Sequence, residues 1–392
     1  MPSNEIEANT KSTANDSIAH AHAHPHAHSA AAHDYSRNPM NIYWEMTQAC
    51  GLACRHCRAE AISTPHPDEL THAESMDLLQ QIASFGDPLP HLILTGGDPL
   101  RRADLYELID EAHRLGLTIS VTPSATGDLT YDVLAKLKAH GVESLGLSLD
   151  GSTAALHEAV RGVEGCFDWT IQAAKNAAKL GIPIQVNTLV AQETEDDLPA
   201  IYELLKSVTV MRWSLFFLIA VGRGKLLKPV SPQRGEEIMS WAFDLTQVSP
   251  FVVATTEAPS YRRVALEQMR EKGWTRAQIA QTPVYRGFEI RDGHGIVFVS
   301  NTGEICPAGF LPLVTGNVRA NKLADVYRNS PVFRELHTPS HFKGKCGVCE
   351  YRTLCGGSRA RAFAYTGDPL ESDPFCAYEP KAEAASASHS SR

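Results

Sequence analysis

Eight of the nine cysteines in this chain fall into two groups, Cys50, Cys54 and Cys57 near the start and Cys306, Cys346, Cys349, Cys355 and Cys376 near the end; Cys166 stands apart. Thiolates are soft ligands that suit zinc or iron–sulfur clusters. In Cys50-Gly-Leu-Ala-Cys54-Arg-His-Cys57 three thiols can wrap one loop around one cluster. Three ligands leave one iron of a 4Fe–4S cluster open to a small molecule, whereas electron-carrier clusters usually take four cysteines. A structural zinc site is the alternative, although zinc prefers paired Cys-x2-Cys units. Cys346-x2-Cys349-x5-Cys355 with Cys376 supplies four thiolates, enough to close a 4Fe–4S cluster or to hold zinc in a ribbon.

The rest of the chain fits a metal-bearing protein of the cytoplasm. The formal charge of −9 over 392 residues argues against a nucleic-acid face, which needs clustered Lys and Arg. No apolar run approaches the ~20 residues of a membrane span, and the first thirty residues lack the apolar core of a secretory signal. In a reducing cytoplasm, cysteines are metal ligands before they are disulfides. Residues 1–36 read as a disordered His-rich tail, in which His20, His22, His24, His26 and His28 form either a weak divalent-metal site or a solvated run. Residues 381–392 read as a second tail.

The elements that must position the first cysteines follow from periodicity. Short apolar runs at 42–46, 92–94, 117–121, 144–149, 184–190 and 213–219 alternate with amphipathic stretches at 72–85, 103–115, 130–140, 166–180 and 196–206. Gly116, Gly141 and Gly181 stand where helix C-caps belong. Strands alternating with helices imply a parallel sheet, so the expected fold class is α/β, a partial (βα)6 barrel over residues 37–231. Residues 232–300 are expected to form a bridging helix and linker, with strand-like 251–255 and helix-like 260–272. Residues 301–380 are expected to form a small Cys-rich domain, entered through a hairpin around Asn301-Thr302-Gly303 and stapled by metal.

Cys-x3-Cys-x2-Cys directly after the first strand resembles the radical SAM superfamily. Thr95-Gly96-Gly97-Asp98-Pro99, closing the second strand, resembles that family's Gly-Gly-Glu-Pro motif, with Asp98 in place of Glu. The resemblance implies a partial barrel, a 4Fe–4S cluster and S-adenosylmethionine (SAM) cleaved reductively to a 5′-deoxyadenosyl radical that abstracts hydrogen from substrate. It implies that Gly96, Gly97, Asp98 and Pro99 receive the SAM amino group, that Ser148, in Ser148-Leu149-Asp150-Gly151, contacts SAM, and that Arg161 holds its carboxylate. Asp150 is either a further SAM-site residue or a helix N-cap. His56, where the family has an aromatic, stacks on adenine in this reading; Asn187 and residues 219–222 line the ribose and adenine. Cys166 reads as a buried small hydrophobe.

The second cysteine group resembles the outer auxiliary cluster of SPASM/twitch-type domains. Gly316-Asn317-Val318, Leu323-Ala324-Asp325-Val326-Tyr327 and Cys355-Gly356-Gly357 carry the likeness. Asn321 and Arg359 stand where two-cluster members have cysteines, so one auxiliary cluster is expected and Cys306 is left without a partner. Lys345-Cys346-Gly347-Val348-Cys349-Glu350-Tyr351-Arg352 and the stretch from Cys355 to Ala362 resemble the haem-pathway branch, including Fe-coproporphyrin decarboxylases and haem d1 maturation enzymes. That branch implies oxidative side-chain modification or decarboxylation of a tetrapyrrole. Arg262, Arg263, Arg359 and Arg361 are candidate partners for its carboxylates, Cys306 is a further substrate-site candidate, and a flavodoxin or ferredoxin is the expected reductant. A SPASM-type peptide maturase is the competing enzyme reading; an iron–sulfur electron carrier or a zinc-stabilised binding protein is the non-enzyme one.

Overall fold

A computed structural model describes residues 33–381; the run from His20 to His28 and residues 382–392 lie outside them. Six strands fall in the expected order as parallel neighbours: β1 (Asn41–Glu45), β2 (His91–Thr95), β3 (Ile119–Val121), β4 (Ser144–Ser148), β5 (Ile184–Val190) and β6 (Arg212–Phe217). Two more extend the parallel run. β7 (Val252–Thr256) pairs with β6, and β8 (Ile296–Val299) pairs with β1 at the opposite edge. β9 (Glu304–Cys306) and β10 (Gly316–Asn317) follow in antiparallel order, giving one open sheet, β10-β9-β8-β1-β2-β3-β4-β5-β6-β7.

The α/β class and the six expected strands hold, and β7 and β8 extend the parallel run. The sheet runs through both positions, 231 and 300, at which the sequence suggested a change of domain. The strand-like run at 251–255 forms β7 and the first arm of the hairpin forms β8; their parallel partners are distant in sequence, so no local pattern announces the pairing. Residues 33–36, expected to be tail, are also tied down. Asp34 Oδ1 accepts the Ser36 N–H at 3.0 Å, and the Tyr327 hydroxyl donates to the Tyr35 carbonyl.

Helix ends obey their capping chemistry. Thr71 and Glu74 form a reciprocal capping box for helix His72–Ala83, and Gly181 ends helix Cys166–Leu180 in the left-handed conformation. Helix Ala154–Arg161, capped by Thr153 and closed by Gly162, was not expected and carries Arg161 into the barrel. The core is built on one face of the sheet from Ile42, Trp44, Leu92, Val121, Val186 and Trp213, all nearly or fully buried. The C-terminal lobe docks through Phe375, which packs on Phe217 with ring centroids 5.5 Å apart. Gly235 makes room for it, since a Cβ there would stand 2.1 Å from the Phe375 ring.

Candidate functional site

The loop after β1 carries the first three thiols, and each sulfur receives an N–H. Leu52 N–H donates to Cys50 Sγ at 3.3 Å, Ala61 N–H to Cys57 Sγ at 3.5 Å, and Arg161 Nη1 to Cys54 Sγ at 3.5 Å. Such bonds suit anionic sulfur and are among the features that set cluster potentials. Ser124, after β3, lies 3.1 Å from Cys50 Sγ and donates to the Gly97 carbonyl at 2.8 Å. Among the described residues no three His, Cys, Asp or Glu side chains surround one ion. A cluster asks for a different arrangement, because each thiolate holds its own iron.

The Gly96-Gly97-Asp98-Pro99 turn is stitched to this loop by backbone. Gly97 N–H donates to Thr47 O and Asp98 N–H to Ala49 O, both at 2.7 Å. A Cβ on Gly96 would come within 2.4 Å of Thr47 O, and one on Gly97 within 2.3 Å of Ala49 O, so only glycine permits this approach. Asp98 is fully buried; its Oδ1 accepts Leu100 N–H at 3.2 Å and Ser124 N–H at 3.3 Å, while Oδ2 has no partner. Burial pushes its carboxyl up to about 6. Here the carboxylate caps the turn and keeps one oxygen free.

On the far side, Asp150 and Arg161 form a buried ion pair, Oδ2 to Nε at 2.7 Å. Asp150 Oδ1 accepts Leu189 N–H at 2.7 Å, and Asp150 N–H donates to His157 Nδ1 at 3.0 Å. Asp150 is thus an internal anchor and not the N-cap of helix Ala154–Arg161, a place taken by Thr153. Burial lowers His56 and His157 to about 4, so both rings are neutral at pH 7. His56 Nδ1 is buried without a partner. Ser148 and Asn187 stand side by side across β4 and β5. Gly222 closes the loop from the other edge, where a Cβ would meet Arg58 O at 2.5 Å.

The second group converges as well. Cys346, Cys349, Cys355 and Cys376 together line one pocket. Their sulfurs too accept N–H groups: from Tyr351 to Cys349 and from Gly357 to Cys355 at 3.4 Å, from Arg359 Nη2 to Cys346 at 3.4 Å, and from Tyr378 to Cys376. Burial pushes the Cys355 thiol up to about 12 and that of Cys376 to about 11, so without a cation in their midst these thiols stay protonated. Four thiols lining one pocket, those of Cys346 and Cys355 buried, fit the ligand set of a metal cluster.

Residues 44–205 match the model of the radical SAM superfamily. Over 347 residues the chain is 36% identical to an AdoMet-dependent heme synthase of Methanosarcina barkeri (strain Fusaro / DSM 804), spanning 87% of this chain and 97% of that one. The chain belongs to the radical SAM superfamily. It is also 27% identical over 357 residues to the pre-heme d1 synthase of Dinoroseobacter shibae (strain DSM 16493 / NCIMB 14021 / DFL 12), covering 86% of this chain and 85% of that one. Its fold resembles that of Streptococcus suis SuiB bound to S-adenosylmethionine, with a TM-score of 0.66 at 16% identity, covering 87% of this chain and 78% of that chain. Like its family, this radical SAM enzyme uses a 4Fe–4S cluster and SAM.

The arginines nominated for substrate have different fates in this radical SAM chain. Arg263 is engaged by Glu236 and, at 2.8 Å, by Glu267. Arg361 donates to the Glu257 carbonyl at 2.8 Å and pairs with Asp373 at 3.3 Å. Arg359 is folded against Cys346. These three are internal, because each finds acceptors on elements distant in sequence. Arg262 differs: its Nη1 is buried with no hydrogen-bond partner. Cys306 is buried beside Arg58 and Glu45, its thiol pushed up to about 12, and lies outside the four-cysteine pocket. Cys166 is fully buried against Leu52 and Cys54, as a small hydrophobe would be.

Three groups escaped the sequence reading. Arg223 ties the cluster loop from below, Nε to Cys54 O at 3.0 Å and Nη1 to Ala61 O at 3.2 Å. Arg58, one residue past Cys57, pairs with Glu45 at 2.5 Å and stacks over Phe298 at 4.5 Å. Glu257, just past β7, is held at φ 57 with its carboxyl buried and accepts from Ser358 Oγ at 3.1 Å. Burial and neighbouring Asp292 raise it toward the neutral form. Only Glu257 carried a usable signal, its place at a strand's C-terminal end, where barrel sites gather.

Proposed function

We propose that this enzyme decarboxylates propionate side chains of a tetrapyrrole, a late step toward haem. The observation that carries the reading is the 36% identity that runs along 97% of an AdoMet-dependent heme synthase. When bound, the cluster and SAM supply a carbon radical that takes a hydrogen atom from substrate. Loss of that hydrogen from the carbon next to the ring, followed by loss of CO2 and one electron, turns a propionate into a vinyl group. One electron therefore leaves per side chain and needs a sink.

The chain's residues divide these tasks. Cys50, Cys54 and Cys57 hold the SAM-binding cluster, and Gly96, Gly97, Asp98 and Pro99 lay backbone acceptors and a free carboxylate oxygen beside it. Arg161 is fixed by Asp150 close to Cys54, and neutral His56 offers an apolar face for adenine. Ser148 and Asn187 line the same side. Cys346, Cys349, Cys355 and Cys376 hold an auxiliary 4Fe–4S cluster, whose chemistry is that of the electron sink. The unpartnered Arg262 Nη1 is a donor for a substrate carboxylate, as guanidinium geometry favours. No helix among the described residues is long and apolar enough to cross a membrane, and we place the enzyme in the cytoplasm with a flavodoxin or ferredoxin as reductant.

The test is anaerobic turnover of reconstituted enzyme with SAM, a low-potential reductant and iron coproporphyrin. The expected result is one 5′-deoxyadenosine per carboxyl group lost. Release of 5′-deoxyadenosine with the porphyrin unchanged, while a peptide is modified under the same conditions, would overturn the substrate assignment.

A further inference from the structure

Gly356 and Gly357 both take left-handed backbone conformations, φ 69 and φ 65, and turn the chain sharply after Cys355. Ser358 then caps helix Arg359–Thr366, accepting Arg361 N–H at 3.1 Å. The turn sends the Arg359 side chain inward, where it is 0% exposed. The missing side chain of Gly357 makes the room: a Cβ there would stand 2.6 Å from Arg359 Nη2 and 3.1 Å from Cys346 Sγ. Arg359 uses that gap to donate from Nη2 to Cys346 Sγ at 3.4 Å.

Its other donors all go to neutral carbonyls. Nη1 reaches Pro369 O at 2.9 Å and Glu371 O at 2.7 Å, and Nε reaches Gly357 O at 3.3 Å. Its face stacks on Phe342 at 4.5 Å. Among the described residues no carboxylate comes within ion-pair distance; Asp292 and Asp368 act on it only from farther away. Two more guanidiniums without ion pairs, Arg262 and Arg291, act on Cys355. A buried cation without a counter-ion is strongly unfavourable. The arrangement makes sense only beside an occupant that is itself anionic.

We infer that Arg359 is a positioning residue that poises the auxiliary cluster to accept an electron, by placing a buried positive charge and an N–H···S bond on Cys346. This rests on the four-cysteine cluster of the proposed function. Accepting an electron adds one negative charge to the cluster, and a nearby cation in a low-dielectric setting stabilises the more negative form. The electron comes from the substrate radical as CO2 departs, and no proton need move with it. Arg359 thus raises the cluster's midpoint potential and favours the final oxidation over reversal.

The test is a redox titration followed by electron paramagnetic resonance on the full reconstituted chain. The auxiliary signal is the one that survives Cys54→Ala and disappears in Cys349→Ala. Arg359→Gln should leave the cluster in place but shift its electron-accepting equilibrium at least tenfold, a midpoint about 59 mV more negative. Arg359→Lys, which keeps the charge but not the planar fork, should recover part of that shift. A midpoint unmoved in Arg359→Gln with the iron retained overturns the inference. Loss of the cluster from both variants also overturns it, in favour of a purely structural role. An iron-free Cys54→Ala chain instead sinks the four-cysteine cluster itself, a separate failure.

Discussion

Two lobes of this molecule repeat one device and differ in one residue. In each, a buried arginine donates to a cysteine sulfur, Arg161 to Cys54 and Arg359 to Cys346. In the barrel, Asp150 sits 2.7 Å from the guanidinium and cancels its charge. In the C-terminal lobe no carboxylate among the described residues pairs with the guanidinium, and Asp292 and Asp368 act on it only from farther away. A cluster that must give an electron to SAM gains from a neutral surround, which keeps its potential low. A cluster that must take an electron gains from a positive one. The lobes are also anchored differently. The three-cysteine loop is held from the loops after several strands, by Gly97 backbone, the Ser124 hydroxyl, the Arg223 guanidinium and the close approach of Gly222. The four-cysteine pocket is enclosed by loops and short helices, which in the proposed reading the metal would hold in shape.

The largest effects should come from removing one lobe's chemistry at a time. Cys54→Ala should drop 5′-deoxyadenosine release to background and leave only the auxiliary iron; release persisting in that variant would put the SAM-cleaving cluster elsewhere. Cys349→Ala should keep reductive SAM cleavage while porphyrin product falls to background, as chromatography of both products would show. Asp150→Asn should make the barrel resemble the other lobe. It leaves Arg161 charged, buried and unpaired, at a cost of about 3 kcal/mol in denaturant unfolding, and it should raise the midpoint of the SAM-binding cluster. Gly97→Ala is the mildest change. Its Cβ must displace the Ala49 carbonyl, 2.3 Å away, costing about 2 kcal/mol as overpacking does and lowering iron retained on the barrel without touching the auxiliary lobe.

Much of the barrel was legible because its signals are local. Apolar runs, glycine C-caps and the position of Cys50 just past a strand place the cluster loop without any long-range information. What stayed hidden depends on partners far away in sequence. β7 and β8 are short runs whose pairing to β6 and β1 no local pattern encodes. Helix Ala154–Arg161 has only eight residues, though Thr153 and Gly162 mark its ends. The arginines misled most. Arg263 in a helix and Arg359 and Arg361 in the Cys-rich segment look like solvated charges or substrate partners, since arginine is rarely buried. Their acceptors, Glu236, Cys346 and Asp373, become visible only once the lobe is folded. By contrast the spacing of Cys346, Cys349 and Cys355 was readable, because one loop brings these thiols together.

The most direct measurement is Mössbauer spectroscopy of the anaerobically reconstituted chain before and after SAM is added. Two 4Fe–4S clusters hold about eight irons, and only one iron, in the cluster with three cysteine ligands, is free to bind a cofactor. The account predicts that SAM alters a single iron environment and leaves the four-cysteine cluster's spectrum unchanged. A spectrum indifferent to SAM, or one in which both clusters respond alike, would contradict it.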